Sequence, residues 1–231
     1  MADASVVPET TLAATAGPTP RRRPPATLQA SSNLVRALTR DMLSYLAASL
    51  PQQVSAEARF LALQCTLRST ATGTVTFPAG LMKAMALLPG QRLWEELASA
   101  RLLRLAPTSA HRASAQLAEP LVGTRGRTAR AQAADWTLRT YRSLIVDQPS
   151  ASNRLVAVAL AAHTPQSNTT GIAEASHLAR MSGLACIDLM STMELFVARQ
   201  VLASWTLDPY TDDLTWITGS QTPLAGTRSG R

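Results

Sequence analysis

"HLARMSGLACIDLM", residues 177–190, is the stretch on which the reading of this chain turns. Two short helices can cross at a steep angle only if the first carries a small residue at the contact and both carry apolar anchors. Leu178 is such an anchor and Ala179 such a small residue. Gly183, four residues on, tolerates the positive φ that the turn needs. Leu184, Ile187, Leu189, Met190 and Met193 are then the candidates for burying the second helix. The stretch therefore reads as a helix-turn-helix.

Downstream, "QVLASWTLD" and "LTWITG" read as two strands separated by "PYTDD", a short hairpin loop. Upstream, "ASNRLVAVALAAHT" (151–164) reads as an apolar helix and "PQSNTTG" as a polar turn. The same order is met earlier. "SAEARFLALQCTLRST" (55–70) is a helix with Ser55 as N-cap. "GTVTFPAG" is a short β-branched stretch closed by Pro78. A helix over about 79–88, a Pro89-Gly90 break, a helix over 91–100 and a strand over 102–106 follow. "TSAHRASA" is a loop and 116–123 a returning strand. The two runs lie roughly 97 residues apart. A repeat of that length implies two similar domains, since solenoid periods are roughly 20–50 residues.

The order helix, strand, helix, turn, helix, strand, loop, strand resembles the winged helix-turn-helix proteins of bacteria. The likeness covers roughly residues 55–123 and 150–219. Most such proteins regulate transcription, and some tandem ones initiate plasmid replication. The resemblance implies DNA binding, with the second helix of each pair in the major groove and the wing on the backbone or in the minor groove. A plain helical bundle would give a similar Ala/Leu pattern. The expected fold is mainly α with short β hairpins: two winged helix-turn-helix domains in tandem, joined by a helical connector. The expected boundaries are a basic tail (1–32), a first domain with an N-terminal helix (33–123), a connector (124–149), a second domain (150–220) and a loose tail (221–231). In the connector, Trp136, Leu138, Tyr141, Leu144 and Ile145 form an apolar stripe.

Charge separates the two units. The chain carries 22 Lys and Arg against 15 Asp and Glu, a net +7, and a basic balance favours polyanions. Residues 1–149 hold 17 of the cations and 9 of the acids, whereas residues 150–220 hold 3 cations and 6 acids. Phosphate contacts dominate non-specific affinity for DNA, so the first unit suits that role better. In "QRLWEELASA", Gln91, Arg92 and Glu95 are the expected exposed residues; these types address adenine, guanine and cytosine edges. A solvated face with an Arg92–Glu95 ion pair is the other reading. Leu93 and Leu97 face the core. Lys83, and His111 and Arg112 in the wing loop, are expected on phosphates, and Arg125, Arg127 and Arg130 extend a basic strip. In the second unit only His177 and Arg180 offer cationic help, while Asp188, Asp212 and Asp213 oppose DNA. That unit is expected to meet protein, for instance a second copy through Trp205, Tyr210 and Trp216; core packing is the other reading of these aromatics and the favoured one for Trp205.

Other chemistries find little support. There is no Walker-type loop, no G-x-G-x-x-G, no H-E-x-x-H and no G-x-S-x-G. His111, His163 and His177 lie far apart in sequence, and His163 reads as a helix C-terminal cap. Cys65 and Cys186 make neither a disulfide framework nor a zinc set, and both read as buried free thiols. No enzyme activity, cofactor or metal is expected. "RRRPP" (21–25) is not followed by an apolar export segment, and no run of about 20 apolar residues occurs. The expectation is a cytoplasmic, nucleoid-associated protein with double-stranded DNA as partner, a possible homodimer and no membrane contact. A replication initiator and a protein-only interaction scaffold are the alternatives.

Overall fold

A serine N-cap leads the second helix of each half of the molecule in the computed structural model, which describes residues 26–85, 87, 90–105, 112–119, 126–144 and 150–219. Ser55 and Ser150 are both N-caps, accepting hydrogen bonds from the backbone N–H of Ala58 and Asn153. The helices they open are α2 (Ala56–Arg68) and α6 (Ala151–His163). Each is preceded by a longer helix, α1 (Ala26–Ser49) and α5 (Arg127–Leu144). In the first half follow β1 (Thr74–Pro78), α3 (Ala79–Ala84), α4 (Gly90–Ser99), β2 (Leu103–Leu105) and β3 (Arg112–Leu117). In the second follow β4 (Thr170–Glu174), α7 (Ala175–Ser182), α8 (Cys186–Ala198), β5 (Leu202–Leu207) and β6 (Asp213–Thr218). The described residues are thus mainly helical, with two antiparallel three-stranded sheets of matching order, β1-β3-β2 and β4-β6-β5.

Local chemistry accounts for these elements. Thr74, Val75 and Thr76 are β-branched and pair with Gln116, Ala115 and Ser114. Gly183 ends α7 at φ +68°, and the N–H of Leu184 returns to the carbonyl of Ala179 at 2.9 Å. Across that turn α7 and α8 bend by 91°. Gly171 serves a different need. It stands opposite Trp216 in the sheet, and a Cβ there would lie 2.3 Å from the indole. Trp216 is fully buried, and its indole N–H donates to Thr164 Oγ1 at 2.9 Å. Of the two readings of this aromatic, core packing is the one the structure shows, not a partner-facing surface.

Several expectations need correction. Residues 26–32, assigned to the tail, belong to α1, while 1–25 and 220–231 lie outside the described residues. The third helix ends at Ala84, and the returning strand spans Arg112–Leu117 instead of 116–123. Ile187 is 72% exposed. The buried stripe of α8 is Leu189, Met193 and Phe196, and Ile187, two residues before Leu189, falls on the opposite side. Cys186, the first residue of α8, is exposed, whereas Cys65 is buried and burial raises its thiol pKa well above the ordinary value. Of the expected apolar stripe, Trp136 and Leu138 pack half-buried against the core, while the α5 face that is fully buried among the described side chains carries other residues. These are Arg130, Ala133, Ala134, Thr137 and Thr140, mostly small residues that let helices approach closely. Thr137 Oγ1 accepts from Gln64 Nε2 of α2 at 2.7 Å inside this contact.

The two halves share one hydrophobic core. Helix α1 packs on α5 and α6, and α2 packs on α5 and α6. Four arginines are buried within this helical layer: Arg36, Arg59, Arg130 and Arg154. They form two reciprocal pairs. Arg59 Nη1 donates to the carbonyl of Arg180 at 3.2 Å, and Arg154 Nη1 donates to the carbonyl of Met85. Arg154 stands 95 residues after Arg59, and Arg180 stands 95 after Met85. Arg36 Nη1 donates to the carbonyls of Ala161 and Thr164, and Arg130 Nη1 donates to Ser69 Oγ at 3.0 Å. Thr164 again stands 95 residues after Ser69. Contacts in which i meets j and the equivalent of j meets the equivalent of i are the signature of an approximate two-fold axis.

Each of these arginines except Arg130 bonds main-chain carbonyls at or beside a helix C-terminus, where carbonyls lack helical partners. Arg59 also holds Val54 and Pro51 through Nε and Nη2. Burial lowers its pKa, and the carboxylate of Glu96 acts the other way. Replacing Arg59 with Ala takes a donor from the Val54, Pro51 and Arg180 carbonyls and leaves a void, so a loss of about 2–4 kcal/mol is expected in denaturant unfolding. Arg59→Lys should recover little, because an ammonium cannot reproduce the planar fork. Gly171→Ala should cost about 1–3 kcal/mol by overpacking against Trp216, read in the same assay.

Candidate nucleic-acid interface

Helix α4 carries the candidate base-facing residues. Leu93, Trp94 and Leu97 bury its inner side, and Trp94 meets Phe77 of β1 at 5.7 Å between ring centroids. Glu96 points back to the start of α2, accepting from Ser55 Oγ at 2.8 Å and from the Ser55 N–H. These contacts fix the helix, so Gln91, Arg92 and Glu95 are left in solvent. Gln91 Nε2 donates to Glu95 Oε1 at 3.0 Å. Glu95 is therefore joined to Gln91, and among the described residues Arg68–Asp135, at 2.6 Å, is the one ion pair. The guanidinium of Arg92 is not held by Glu95.

The other nominated residues divide. His111 and Arg125 lie outside the described residues. Lys83 belongs to α3, and Arg112 belongs to β3 opposite Pro78, not to the wing loop as expected; their side chains lie outside what the structure describes. Arg127 opens α5 and is exposed. Arg130, grouped with it in the basic strip, is 6% exposed and turned to Ser69, so it is removed from the surface. The physical reason is helical periodicity: Arg130 is on the buried stripe with Ala133, Ala134 and Thr137. His177 is half-buried, its Nε2 3.1 Å from Ser44 Oγ on α1. Arg180 is exposed, although its carbonyl takes the hydrogen bond from Arg59. Sequence reasoning did not nominate Arg40, Arg101, Arg104 and Arg139, all exposed cations. No motif marks them, since single arginines on edges and helix faces leave no spacing signal.

The internal repeat allows α4 and α8 to be compared position by position at an offset of 96. The inner positions agree: Leu93 and Leu97 correspond to Leu189 and Met193, all buried. The outer positions do not. Gln91, Arg92 and Glu95 correspond to Ile187, Asp188 and Ser191, all exposed. The same scaffold thus presents a basic and amide-bearing surface in one half and an apolar, acidic surface in the other.

The acids of the second hairpin have local roles. Asp212, at φ 62°, accepts from the Ser176 N–H through Oδ2 at 2.9 Å, and its carbonyl accepts from the Ala175 N–H at 2.8 Å. It caps the N-terminus of α7 from across the sheet. Asp208 Oδ1 accepts from the Tyr210 N–H at 2.8 Å and shapes the loop, whose Tyr210 is 97% exposed. His163 sits in the last turn of α6, with Nδ1 2.8 Å from the Ala159 carbonyl. Burial lowers its pKa, helped by nearby Arg40 and His177 and opposed by that hydrogen bond.

A cleft of about 290 Å³ lies between α1 and the end of α4, lined by Tyr45, Ser49, Arg101, Leu102 and Glu119 among others. Among the described residues no group of three or more His, Cys, Asp or Glu is placed to hold a metal ion. No single described helix is long and apolar enough to cross a membrane. No family model, curated protein or solved structure matches the chain.

Hydrogen bonds to the Ser176 N–H and side chain hold the Asp212 carboxyl below its usual pKa. A carboxyl lowered on folding stabilises above the unfolded pKa of about 3.9, and that stabilisation is lost as pH falls through the folded value. Asp212→Ala should lower Tm at neutral pH and weaken its fall on acidification. Asp212→Asn, which keeps an acceptor and tolerates positive φ, should hold Tm closer to the parent. Thermal melts from pH 7 to about pH 3 measure both.

Proposed function

We propose that the chain is a DNA-binding transcription regulator built as two winged helix-turn-helix units in tandem, with the first unit on duplex DNA. The observation that carries this reading is the contrast between α4 and α8. Gln91 and Arg92 are exposed at the N-terminal end of a helix fixed by Leu93, Trp94 and Leu97. Their counterparts in the second unit are Ile187 and Asp188, and the positive charge of the chain is concentrated in the first half. The winged-helix reading is supported by the element order, the two matching small sheets and the 91° bend between α7 and α8 around Gly183.

In this reading the N-terminal half of α4 enters the major groove. Arg92 addresses guanine through two N–H donors, and Gln91 addresses adenine. The bond from Gln91 to Glu95 orients the Gln91 amide before DNA arrives. Arg127 and Lys83 serve phosphates, which add affinity without sequence information. The second unit holds the first in place through the arginine pairs and meets protein.

The test is a competition binding assay on the full chain across a salt series. Salt-dependent binding with a preferred sequence is expected. Arg92→Ala should weaken the preferred site roughly ten- to hundredfold and relax its sequence preference. Arg127→Ala should weaken all sequences alike and reduce the salt slope by about one. Asp188→Ala should leave affinity unchanged. Absence of salt-dependent binding at about 50 mM salt overturns the reading.

A further inference from the structure

Six large apolar side chains are exposed among the described residues, and five of them belong to the second half: Ile172, Ile187, Leu207, Tyr210 and Ile217. The three isoleucines stand where the first half has polar residues. Ile187 corresponds to Gln91, Ile172 to Thr76 and Ile217 to Gln116, by the matched strands and helices. A scaffold repeated in one chain needs the same inner residues twice but leaves the outer ones free to differ. Here they differ toward a surface that costs solubility unless something covers it.

The acids beside Ile187 say what chemistry the cover carries. Asp188 and Glu194 are exposed on α8 with it, and no Lys or Arg follows on that helix before Arg199 at its end. Pairing α8 with α8 of another copy would bring like charges together. A complementary surface exists on the same chain. The end of α4 and β2 expose Arg101 and Arg104, with Glu119 in the cleft beside Arg101, and the next strand residue, Leu105, on the other face of the β2 edge, is 50% exposed and is the sixth of the apolar set. β2 is an edge strand, bonded to β3 on one side. Both surfaces are exposed with the halves packed together, so each is available to another copy.

We propose that copies of this chain associate head to tail, with the Ile187–Asp188–Glu194 face of α8 in one copy seated on the Arg101–Arg104–Leu105 end of β2 in the next. Such a contact is heterologous: each copy gives one surface and receives on the other, so association extends along a row. It also leaves the proposed DNA-facing residues open. Gln91 and Arg92 begin α4, and Arg101 lies past its other end, a separation of roughly 14 Å at 1.5 Å per residue. Opposite charge at the contact makes the association sensitive to salt.

Sedimentation velocity on the full chain without DNA tests this independently of the proposed function. The expected result is a sedimentation coefficient that rises with protein concentration at low salt and falls back toward the monomer as salt is raised. Asp188→Arg and Arg104→Glu should each abolish the rise, and Ile187→Ser should reduce it. The chain carrying both Asp188→Arg and Arg104→Glu should regain it, because the charges are exchanged. Circular dichroism confirms that each variant is folded. Three results overturn the proposal: a parent chain that stays monomeric throughout, association that survives or strengthens in Asp188→Arg, and failure of the folded double reversal to restore association. The second of these indicates α8 pairing with α8. A monomeric parent that still binds DNA separates failure here from failure of the functional reading.

Discussion

Arginine side chains buried between the two halves are the constraint on which the rest of the structure depends. A guanidinium is expensive to remove from water, and Arg36, Arg130 and Arg154 each meet a main-chain carbonyl or a hydroxyl of the other half. The compensation comes from carbonyls and a hydroxyl at helix ends, groups that also need a partner once buried. Arg36 closes the end of α6, Arg59 the end of α7, Arg154 the segment after α3, and Arg130 the C-cap serine of α2. Each half therefore satisfies helix ends in the other. Neither half can move away without exposing an arginine site and stranding carbonyls.

This reciprocity gives the chain a shape of one piece with two related ends. Helices α1, α2, α5 and α6 form the shared layer, and each sheet with its pair of short helices projects from it. The repeat lets evolution hold the inner residues and vary the outer ones. Leu93 and Leu189, Leu97 and Met193 keep the same burial, while Arg92 and Asp188 have opposite charge. Two surfaces of unlike chemistry are thus carried on one repeated frame.

Much of the local structure is legible in the residues. The Ser55 cap, the turn at Gly183, the hairpin after α8 and the burial of Leu93 and Leu97 follow from capping, positive φ, alternation and helical spacing. The candidate site is legible in part: Gln91, Arg92 and Glu95 are exposed where the spacing places them. Arg130 and Ile187 are not, because which arc of a helix is buried depends on what packs against it. Ile187 looks like core by type and is excluded by α8's angle to α7. Arg130 looks like surface by charge and is enclosed because Ser69 stands at the matching helix end. Asp212 looks like a wing acid and is a helix cap, through a contact between residues 36 positions apart.

The sequence alone determined the element types, the domain-length repeat and the uneven charge, because these rest on periodicity, caps and counts that act within a few residues. The tertiary structure alone decided which arginines are spent inside, and that the connector buries its small face and leaves Trp136 only partly covered. The sequence shows the same Ser, then Arg four residues later, at 55 and 59 and at 150 and 154. That pattern gives no partner. The partners are carbonyls, which every residue carries and no sequence pattern can mark; only the folded path of the chain brings them within reach.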